Sequence, residues 1–332
     1  MKRILWLMLL VLIVTGCDRN PAGKATPTTQ GSVREPTAVT LQLNWKPEPQ
    51  FGGFYAAKQN GGFEDHALNV DVVAGGVGTP TVQMVAAGKV EFGIVSADEL
   101  ILARSNGADV VALFAVYQTC PQGLMTHAAR GFKSIADIFT NPGTVAMQRG
   151  LPYASYLERK YGFAKVKVVP SPGGDLSVFR SDPNYSMQCF VTSEPIAAKR
   201  AGLDARTFLV AEAGYNPYTT VLVTRGDYLK SNKKLAGAMV AAVRVGWRKY
   251  LDDPSATNSH MQQLNPTMDS QTFTESAAAQ KPLIETDETK KGQLGIMTND
   301  RWETLVKQLT ELKVIQTPID PATCFVQDLK EE

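Results

Sequence analysis

The stretch that decides the fold is residues 41–63, LQLNWKPEPQFGGFYAAKQNGGF. It begins as a strand-like run, is interrupted at Pro47 and Pro49, and continues as a helical pattern after Gly52 and Gly53. Proline fixes φ, lacks a backbone N–H and restricts the residue before it, so the segment after the strand cannot become helical at once. The stretch therefore predicts a strand, an irregular wall and a helix, which together begin an α/β unit.

Aromatic side chains cluster at these interruptions. Trp45 ends the predicted strand, where a side chain can face a cleft and stack on a planar ligand or cover an apolar one. Phe51 and Tyr55 are candidates for the same site or for inward packing, because Phe54 and Tyr55 point to different sides of the helix start. We predict that Trp45 contacts a ligand and keep Phe51 and Tyr55 as further candidates.

Short apolar runs alternate with helical patterns along most of the chain, which is typical of sheets covered by helices. Before residue 117 the predicted strands are 39–43, 70–73, 92–95 and 110–116, and the predicted helices are 53–59, 80–87 and 97–106. A second series follows, with strands 123–127, 144–147, 166–169, 189–192 and 207–210 and helices 152–160 and 194–201. A strand at 220–224 and helices at 234–251 and 302–312 complete the pattern. We predict two lobes, each with a parallel sheet.

Two turn-rich connectors, residues 117–122 and 212–218, flank the second series. We therefore assign residues 37–119 and 218–332 to lobe 1, with the helical C-terminal part packed on it, and residues 120–217 to lobe 2. Two lobes joined by two strands are suited to hinge closure about a cleft, and clefts in open α/β sheets form at the carboxyl ends of strands.

The first 17 residues have the architecture of an export signal: Lys2 and Arg3, an apolar core too short to span a bilayer, and small residues before Cys17. Val14-Thr15-Gly16-Cys17 resembles the bacterial lipobox, so we predict lipidation of Cys17; an uncleaved anchor or an ordinary secretory signal is the alternative. Residues 18–36 are rich in Pro, Thr, Gly and charge and predict a flexible tether.

Charge and cysteine content exclude several function classes. The chain has 34 Lys and Arg residues and 32 Asp and Glu residues. This near balance gives no reason to expect nucleic acid or an acidic membrane as a partner. Cys120, Cys189 and Cys324 fit no metal motif; either one pair is oxidised or all three are buried small residues. The three histidines are dispersed and no G-x-S-x-G motif occurs. We expect no metal, no cofactor and no enzymatic activity.

Several further residues are candidates for the cleft. The turn 74–80 follows a strand and opens a helix, so the N–H groups of Gly78 and Thr79 are suited to an oxygen of a ligand, although a purely structural turn explains the pattern equally well. It lacks the third glycine of a dinucleotide loop. Thr79 is also expected to cap the helix, with Pro80 at its first position.

Capping residues and connector residues complete the candidate site. Ser96 begins a capping box with Glu99 and also borders the cleft. Tyr117 and Gln118 lie where the chain leaves lobe 1, and Tyr215 lies in the second connector. Glu194 begins a helix, where a carboxylate either caps the positive helix end or, if it faces the cleft, receives hydrogen bonds from a ligand or counters a cation.

Four stretches of the sequence resemble a known family. They are LNWKPEPQFGGFYAAKQNGGFEDHALNVDVVAGG, VAAGKVEFGIVSADELILARSNGADVVALFAVYQ, SEPIAAKRAGLD and GIMTNDRWETLVKQLTELKVI. Together they resemble the solute-binding lipoproteins of ABC importers, in the branch that binds thiamine pyrimidine precursors and, more distantly, sulfonates and nitrate. The resemblance covers residues 37–315.

The resemblance implies a type II periplasmic-binding-protein fold and a small, planar heteroaromatic solute held between the lobes. It also implies an ABC permease and its ATPase as partners, and a monomer held at the extracytoplasmic face of the membrane by its N-terminal lipid alone. Pyrimidine binders often carry a histidine where this chain has Gln50 and Phe51. The identity of the solute is therefore open.

Three alternatives to this function remain. The first is a binder of a sulfonate-like or nitrate-like anion, the second is a sensor domain that reports to a membrane kinase, and the third is a pyrimidine-precursor synthase on the same fold. The synthases carry a cysteine-rich iron motif, whereas residues 214–220 here contain no cysteine.

Overall fold

A computed structural model describes residues 35–291, 293–327 and 329. The predicted export signal with Cys17 and nearly all of the predicted tether lie outside the described residues. Within them, we find no helix that is both long enough and apolar enough to cross a membrane.

Regular elements follow the predicted alternation of strands and helices. Ten strands form in the described residues: β1 Thr37–Gln42, β2 Leu68–Val73, β3 Phe92–Val95, β4 Val110–Tyr117, β5 Gln122–His127, β6 Gly143–Ala146, β7 Val166–Val169, β8 Tyr185–Phe190, β9 Ala205–Leu209 and β10 Thr219–Arg225. Thirteen α-helices form in the same residues: α1 Gly52–Gln59, α2 Thr81–Ala86, α3 Ala97–Ser105, α4 Ile135–Thr140, α5 Pro152–Tyr161, α6 Ser177–Ser181, α7 Glu194–Arg200, α8 Gly226–Ser231, α9 Lys233–Asp252, α10 Ser255–Leu264, α11 Ser270–Ile284, α12 Asp287–Lys291 and α13 Asn299–Glu311.

The strands form two five-stranded sheets, with orders β2-β1-β3-β10-β4 in lobe 1 and β7-β6-β8-β5-β9 in lobe 2. In lobe 1, β1 is parallel to β2 and β3, and β10 is antiparallel to β3 and β4. In lobe 2, β6 is parallel to β7 and β8, and β5 is antiparallel to β8 and β9. The predicted two-lobed α/β fold is confirmed. The sheets are mixed, not wholly parallel, because one strand in each runs against its neighbours.

The chain crosses between the lobes twice, at residues 118–121 and 210–218, close to both predicted connectors. Strand β10 returns from lobe 2 and inserts between β3 and β4, so the second crossing enters the sheet beside the edge strand β4, from which the first crossing leaves. The structure also corrects two local expectations. Strand β8 begins at Tyr185, not 189, because Ser186 already pairs with Thr126. Helix α2 begins at Thr81 after Pro80, and the Thr79 hydroxyl accepts a hydrogen bond from the Gly76 N–H (2.9 Å) instead of capping the helix.

The two glycines of the opening stretch let helix α1 lie directly against α9. A Cβ atom on Gly52 would lie 2.1 Å from the Tyr250 ring, and one on Gly53 would lie 2.2 Å from the Trp247 ring. From α9, a Cβ on Gly246 would lie 2.2 Å from the Gly53 carbonyl oxygen. The glycines therefore permit a helix contact that covers the lobe-1 core with the C-terminal helical part, as expected.

Candidate functional site

A cleft of about 810 Å³ lies between the lobes. Lobe 1 lines it with residues from 44–50, 76–79, 96–99 and 267–272, and lobe 2 with residues from 148–153, 173–174 and 188–197. This volume lies within the usual range for small-molecule sites, about 300–1,000 Å³. We call residues 44–50 the lobe-1 wall and residues 188–197 the lobe-2 wall.

The lobe-1 wall is irregular but held by hydrogen bonds from distant elements. The Trp45 carbonyl accepts from the Gly75 N–H at 2.9 Å. Asn265 donates to the Pro47 carbonyl at 3.1 Å, and Gln280 donates to the Pro49 carbonyl at 2.9 Å. Both amide side chains are buried. The prolines stop the wall from becoming regular, and helices α10 and α11 hold the resulting shape.

Trp45 and Glu48 form a pair within this wall. The indole N–H donates to Glu48 Oε1 at 3.1 Å, which fixes the ring against the carboxylate. Burial raises the pKa of the Glu48 carboxyl to about 7, and the negative charge of Glu194 adds to this increase; the Trp45 hydrogen bond and the charge of Lys46 act in the opposite direction. The carboxyl therefore titrates near neutral pH.

The lobe-2 wall carries Glu194 at the first position of α7, followed by Pro195. Its Oε2 accepts a hydrogen bond from the Phe190 N–H at 2.8 Å. Burial raises the pKa of Glu194, and backbone N–H donors partly offset the increase. Gly174, at φ +99°, passes beside this carboxylate, since a Cβ on it would lie 3.7 Å from Glu194 Oε1. Glu194 is thus both a structural acceptor and part of the cleft lining.

A hydrogen-bonded cluster centred on the Gln188 amide lies in the lobe-2 part of the lining. Gln188 Oε1 accepts from the Gln148 N–H and from the Tyr153 hydroxyl, each at 2.6 Å. All three residues line the cleft. They add neutral donors and acceptors to the lobe-2 side of the cleft, where Glu194 presents a carboxylate.

On the side of the cleft where the chain crosses between the lobes, a carboxylate of α3 hydrogen-bonds to the second crossing. Tyr215 donates to Asp98 Oδ2 at 2.8 Å, which joins the second crossing to lobe 1. The predicted capping box is present: the Ser96 N–H donates to Glu99 Oε2 at 2.9 Å. Ser96 also donates through its hydroxyl to Asp98. Ser96 therefore caps α3 and lines the cleft at the same time.

Apart from the two crossings, an ion pair joins the two lobes. Arg200, at the end of α7, donates to Asp269 and to the Thr272 hydroxyl at the start of α11. The side chains of Arg200 and Asp269 are 32% and 55% exposed, so water screens the pair.

Of the ten residues that the sequence suggested for ligand binding, the structure brings six together on the cleft. They are Trp45, Gly78, Thr79, Ser96, Glu194 and Tyr215.

The other four lie outside the lining. Phe51 and Tyr55 are 0% and 3% exposed in the lobe-1 core, where the Tyr55 ring lies 5.9 Å from the ring of His260 on α10. Tyr117 donates to Gln280 at 2.6 Å. The Gln118 amide donates to the carbonyls of Ala115 and Ile296 at 3.2 and 3.1 Å. These buried contacts give all four residues a structural role.

The polar lining residues that the sequence reasoning missed include Glu48, Asp98, Glu99, Gln188 and Asp269. Glu48 had a usable signal, since a carboxylate between two prolines lies in a segment that can form neither strand nor helix. Asp269 had none, because it reaches the cleft only through the packing of the C-terminal helices.

The lining is acidic. It holds five carboxylates, from Glu48, Asp98, Glu99, Glu194 and Asp269, and among the residues that the structure describes Lys46 is its single basic member. In the described part of the chain, we find no group of His, Cys, Asp and Glu that could hold a metal ion. Cys120, Cys189 and Cys324 are buried free thiols.

The comparisons with known proteins agree with this architecture. The family model described as NMT1/THI5 like matches residues 48–257. The formylaminopyrimidine-binding protein of Halalkalibacterium halodurans is 22% identical, over 97% of this chain and 97% of that protein. The riboflavin-binding protein RibY of Chloroflexus aurantiacus is 20% identical, over 97% of this chain and 95% of that protein.

Solved structures match at the level of the fold. The periplasmic aliphatic sulphonate binding protein SsuA of Escherichia coli superposes with a TM-score of 0.68 and 13% identity, over 90% of this chain and 94% of that chain. The desulfurization enzyme DSZB superposes with a TM-score of 0.62 and 14% identity, over 88% of this chain and 97% of that chain. The expected periplasmic-binding-protein fold is confirmed, and the same fold also carries an enzyme.

Proposed function

Since the chain belongs to the NMT1/THI5-like family, we propose that it is the solute-binding component of an ABC importer. Two curated relatives that align with almost its whole length are binding proteins for small heteroaromatic molecules. The cleft between two lobes joined by two crossings supplies the matching architecture.

The proposed mechanism is capture by closure. A solute in the cleft contacts Trp45 and Ser96 of lobe 1 and Glu194 of lobe 2 at once, so its binding favours the state in which both walls are near it. The closed form then docks on the permease, whose ATPase drives import. No bond of the solute is broken.

The ligand we propose is a small planar heteroaromatic ring with hydrogen-bond donors, similar to a thiamine pyrimidine precursor. The observation that carries this choice is the indole of Trp45 beside Glu48, with Glu194 on the opposite wall. A flat ring stacks on indole, and carboxylates accept paired hydrogen bonds from an aminopyrimidine edge.

The acidic lining weighs against an anionic solute. The ionised carboxylates of the lining repel a sulfonate or nitrate, since like charges in a partly buried cleft are weakly screened, and among the described lining residues Lys46 alone is basic. A flavin is the second candidate, because RibY binds riboflavin and the volume of about 810 Å³ leaves room for a larger ring system.

The chemistry of the cleft thiols supports binding over catalysis. Cys120 and Cys189 line the cleft, but burial raises the pKa of Cys120 to about 11 and that of Cys189 well above its usual value. Both stay as thiols near neutral pH, and the thiolate is the nucleophilic form.

Location and partners belong to the same proposal. We propose a monomer on the extracytoplasmic face of the membrane, anchored by lipid on Cys17. A sensor role would require a membrane kinase in place of a permease, and the genes adjacent to this one would distinguish the two.

A thermal-shift screen of the purified protein against aminopyrimidines, flavins, sulfonates and short anions tests the proposal. We expect aminopyrimidines to raise the melting temperature and sulfonates to leave it unchanged. Stabilisation by sulfonates alone, or by no compound, would contradict the proposed ligand class.

A further inference from the structure

We infer that Glu48 makes the cleft selective for a cationic ligand, one that presents a protonated amino group to the lobe-1 wall and a second donor to Glu194. This inference rests on the proposed function and specifies the ligand class further. It assigns to Glu48 a task separate from that of the lobe-2 carboxylate.

The geometry of Glu48 leaves one oxygen for the ligand. The Trp45 indole occupies Oε1, and Oε2 accepts no hydrogen bond from any residue that the structure describes. The wall that carries Glu48 is fixed at the carbonyls of Pro47 and Pro49 on either side of it. The carboxylate is therefore held in place beside the stacking surface, with Oε2 available to the cleft.

Most of the ionisable groups around Glu48 are acidic, so a cationic ligand would have favourable electrostatic interactions there. Lys46, on the same segment, is exposed, so its ammonium is well hydrated. Tyr117 on β4 is a buried neutral phenol, and its pKa is raised by burial. Glu194 on α7 contributes a second negative charge. Asp98, Glu99 and Asp269 line the same cleft. Such a lining attracts a positively charged solute and strengthens its binding.

The inference predicts how the affinity for a cation changes with pH. Because the pKa of Glu48 is about 7, the carboxyl is partly protonated near neutral pH. A nearby cation favours its charged form, so a cation that binds releases this proton. The affinity for a cation should therefore rise by about tenfold from pH 6 to pH 8, as the free protein loses the proton. A neutral ligand should show no such increase.

Two probes that differ in a single charge test the inference. One is a 4-aminopyrimidine with a primary aminomethyl group, which is a cation at neutral pH; the other is its N-formyl counterpart, which is neutral. Calorimetric titration of the purified protein at pH 8 should give at least tenfold tighter binding of the cation. In Glu48→Gln this preference should fall below threefold. Glu303→Gln, which removes the same charge from the exposed face of α13, should keep it.

The outcomes separate the inference from the proposed function. Equal or tighter binding of the N-formyl probe overturns the inference and leaves the proposed function intact, because the ring still binds. Retention of the full preference in Glu48→Gln also overturns it. If neither probe binds, the proposed ligand class fails, and the inference fails with it. The wild-type comparison needs no variant to fold, so equal or tighter binding of the N-formyl probe overturns the inference even if Glu48→Gln is unstable.

Discussion

The lobe-1 and lobe-2 walls each bring a carboxylate to the cleft, but they hold it in different ways. Glu48 lies in an irregular segment whose shape is fixed from behind by Asn265 and Gln280, and within the described residues the Trp45 indole is the one hydrogen-bond donor to its carboxylate. Glu194 begins a helix, and its carboxylate accepts a backbone hydrogen bond from Phe190. Glu194 is therefore part of the framework of its wall, whereas Glu48 can respond to a ligand without disturbing the backbone around it.

Removing the support behind the lobe-1 wall should have the largest effect. Gln280→Leu leaves the Pro49 carbonyl and the Tyr117 hydroxyl without their buried partner. We expect the free energy of unfolding to fall by about 3 kcal/mol, since each buried polar group left unpaired costs about 1–3 kcal/mol. Urea denaturation measures the change.

The matched control is Gln271→Leu, on the exposed face of the same helix. It should change the free energy of unfolding by less than about 0.5 kcal/mol. Similar losses in both variants would show that the wall does not depend on the buried amide.

The difference between the carboxylates should also appear as a pH dependence of stability. The pKa of Glu48 is about 7 in the folded protein against 4.5 in its ordinary state, so the folded protein binds more protons between these values. Glu48 therefore lowers the free energy of unfolding as the pH rises through this window, by about 3 kcal/mol in total.

Glu48→Gln removes this contribution. Without ligand, the variant should be more stable than the wild type at pH 8 by about 3 kcal/mol and equally stable at pH 4. Thermal denaturation at the two pH values measures it. A variant less stable than the wild type at pH 8 would mean that the charged carboxylate supports the wall.

Trp45 tests whether the lobe-1 wall stacks on the ligand. Trp45→Ala should weaken binding of an aminopyrimidine by about 30-fold, which corresponds to about 2 kcal/mol for a buried aromatic contact. Trp45→Phe keeps a flat ring and should weaken binding only a few-fold. Unchanged affinity in Trp45→Ala, measured by calorimetry, would remove Trp45 from the site.

The smallest effect on affinity is expected for the ion pair that joins the two lobes. Arg200→Ala breaks the screened ion pair with Asp269. Such pairs contribute about 0.2–1 kcal/mol, so affinity should fall two- to fivefold. The difference from the wild type should shrink in high salt. Lys199→Ala removes the same charge from the same helix and should leave affinity unchanged; an equal loss there would assign the effect to net charge.

Local sequence signals account for much of the fold and part of the site. Strands β3 and β7 were predicted at both ends, because short apolar runs are bounded by turn residues there. Trp45 and Glu194 were found since each lies at the boundary of a regular element that borders the cleft.

The remainder depends on contacts between distant parts of the chain. The C-terminal helices share the core that buries Phe51 and Tyr55, and the return of β10 makes the lobe-1 sheet mixed. Asp269 reaches the cleft through a helix that follows lobe 2 in sequence. No local pattern in the sequence reports such packing.

The central claim is that one ligand contacts both walls. Its most direct test is the dissociation constant of the aminomethyl-4-aminopyrimidine at pH 8 for Glu48→Gln and Glu194→Gln, one variant for each wall. We predict that each substitution weakens binding at least tenfold while the protein stays folded by circular dichroism. Unchanged affinity in either folded variant would show that the ligand does not reach that wall, and would contradict the account.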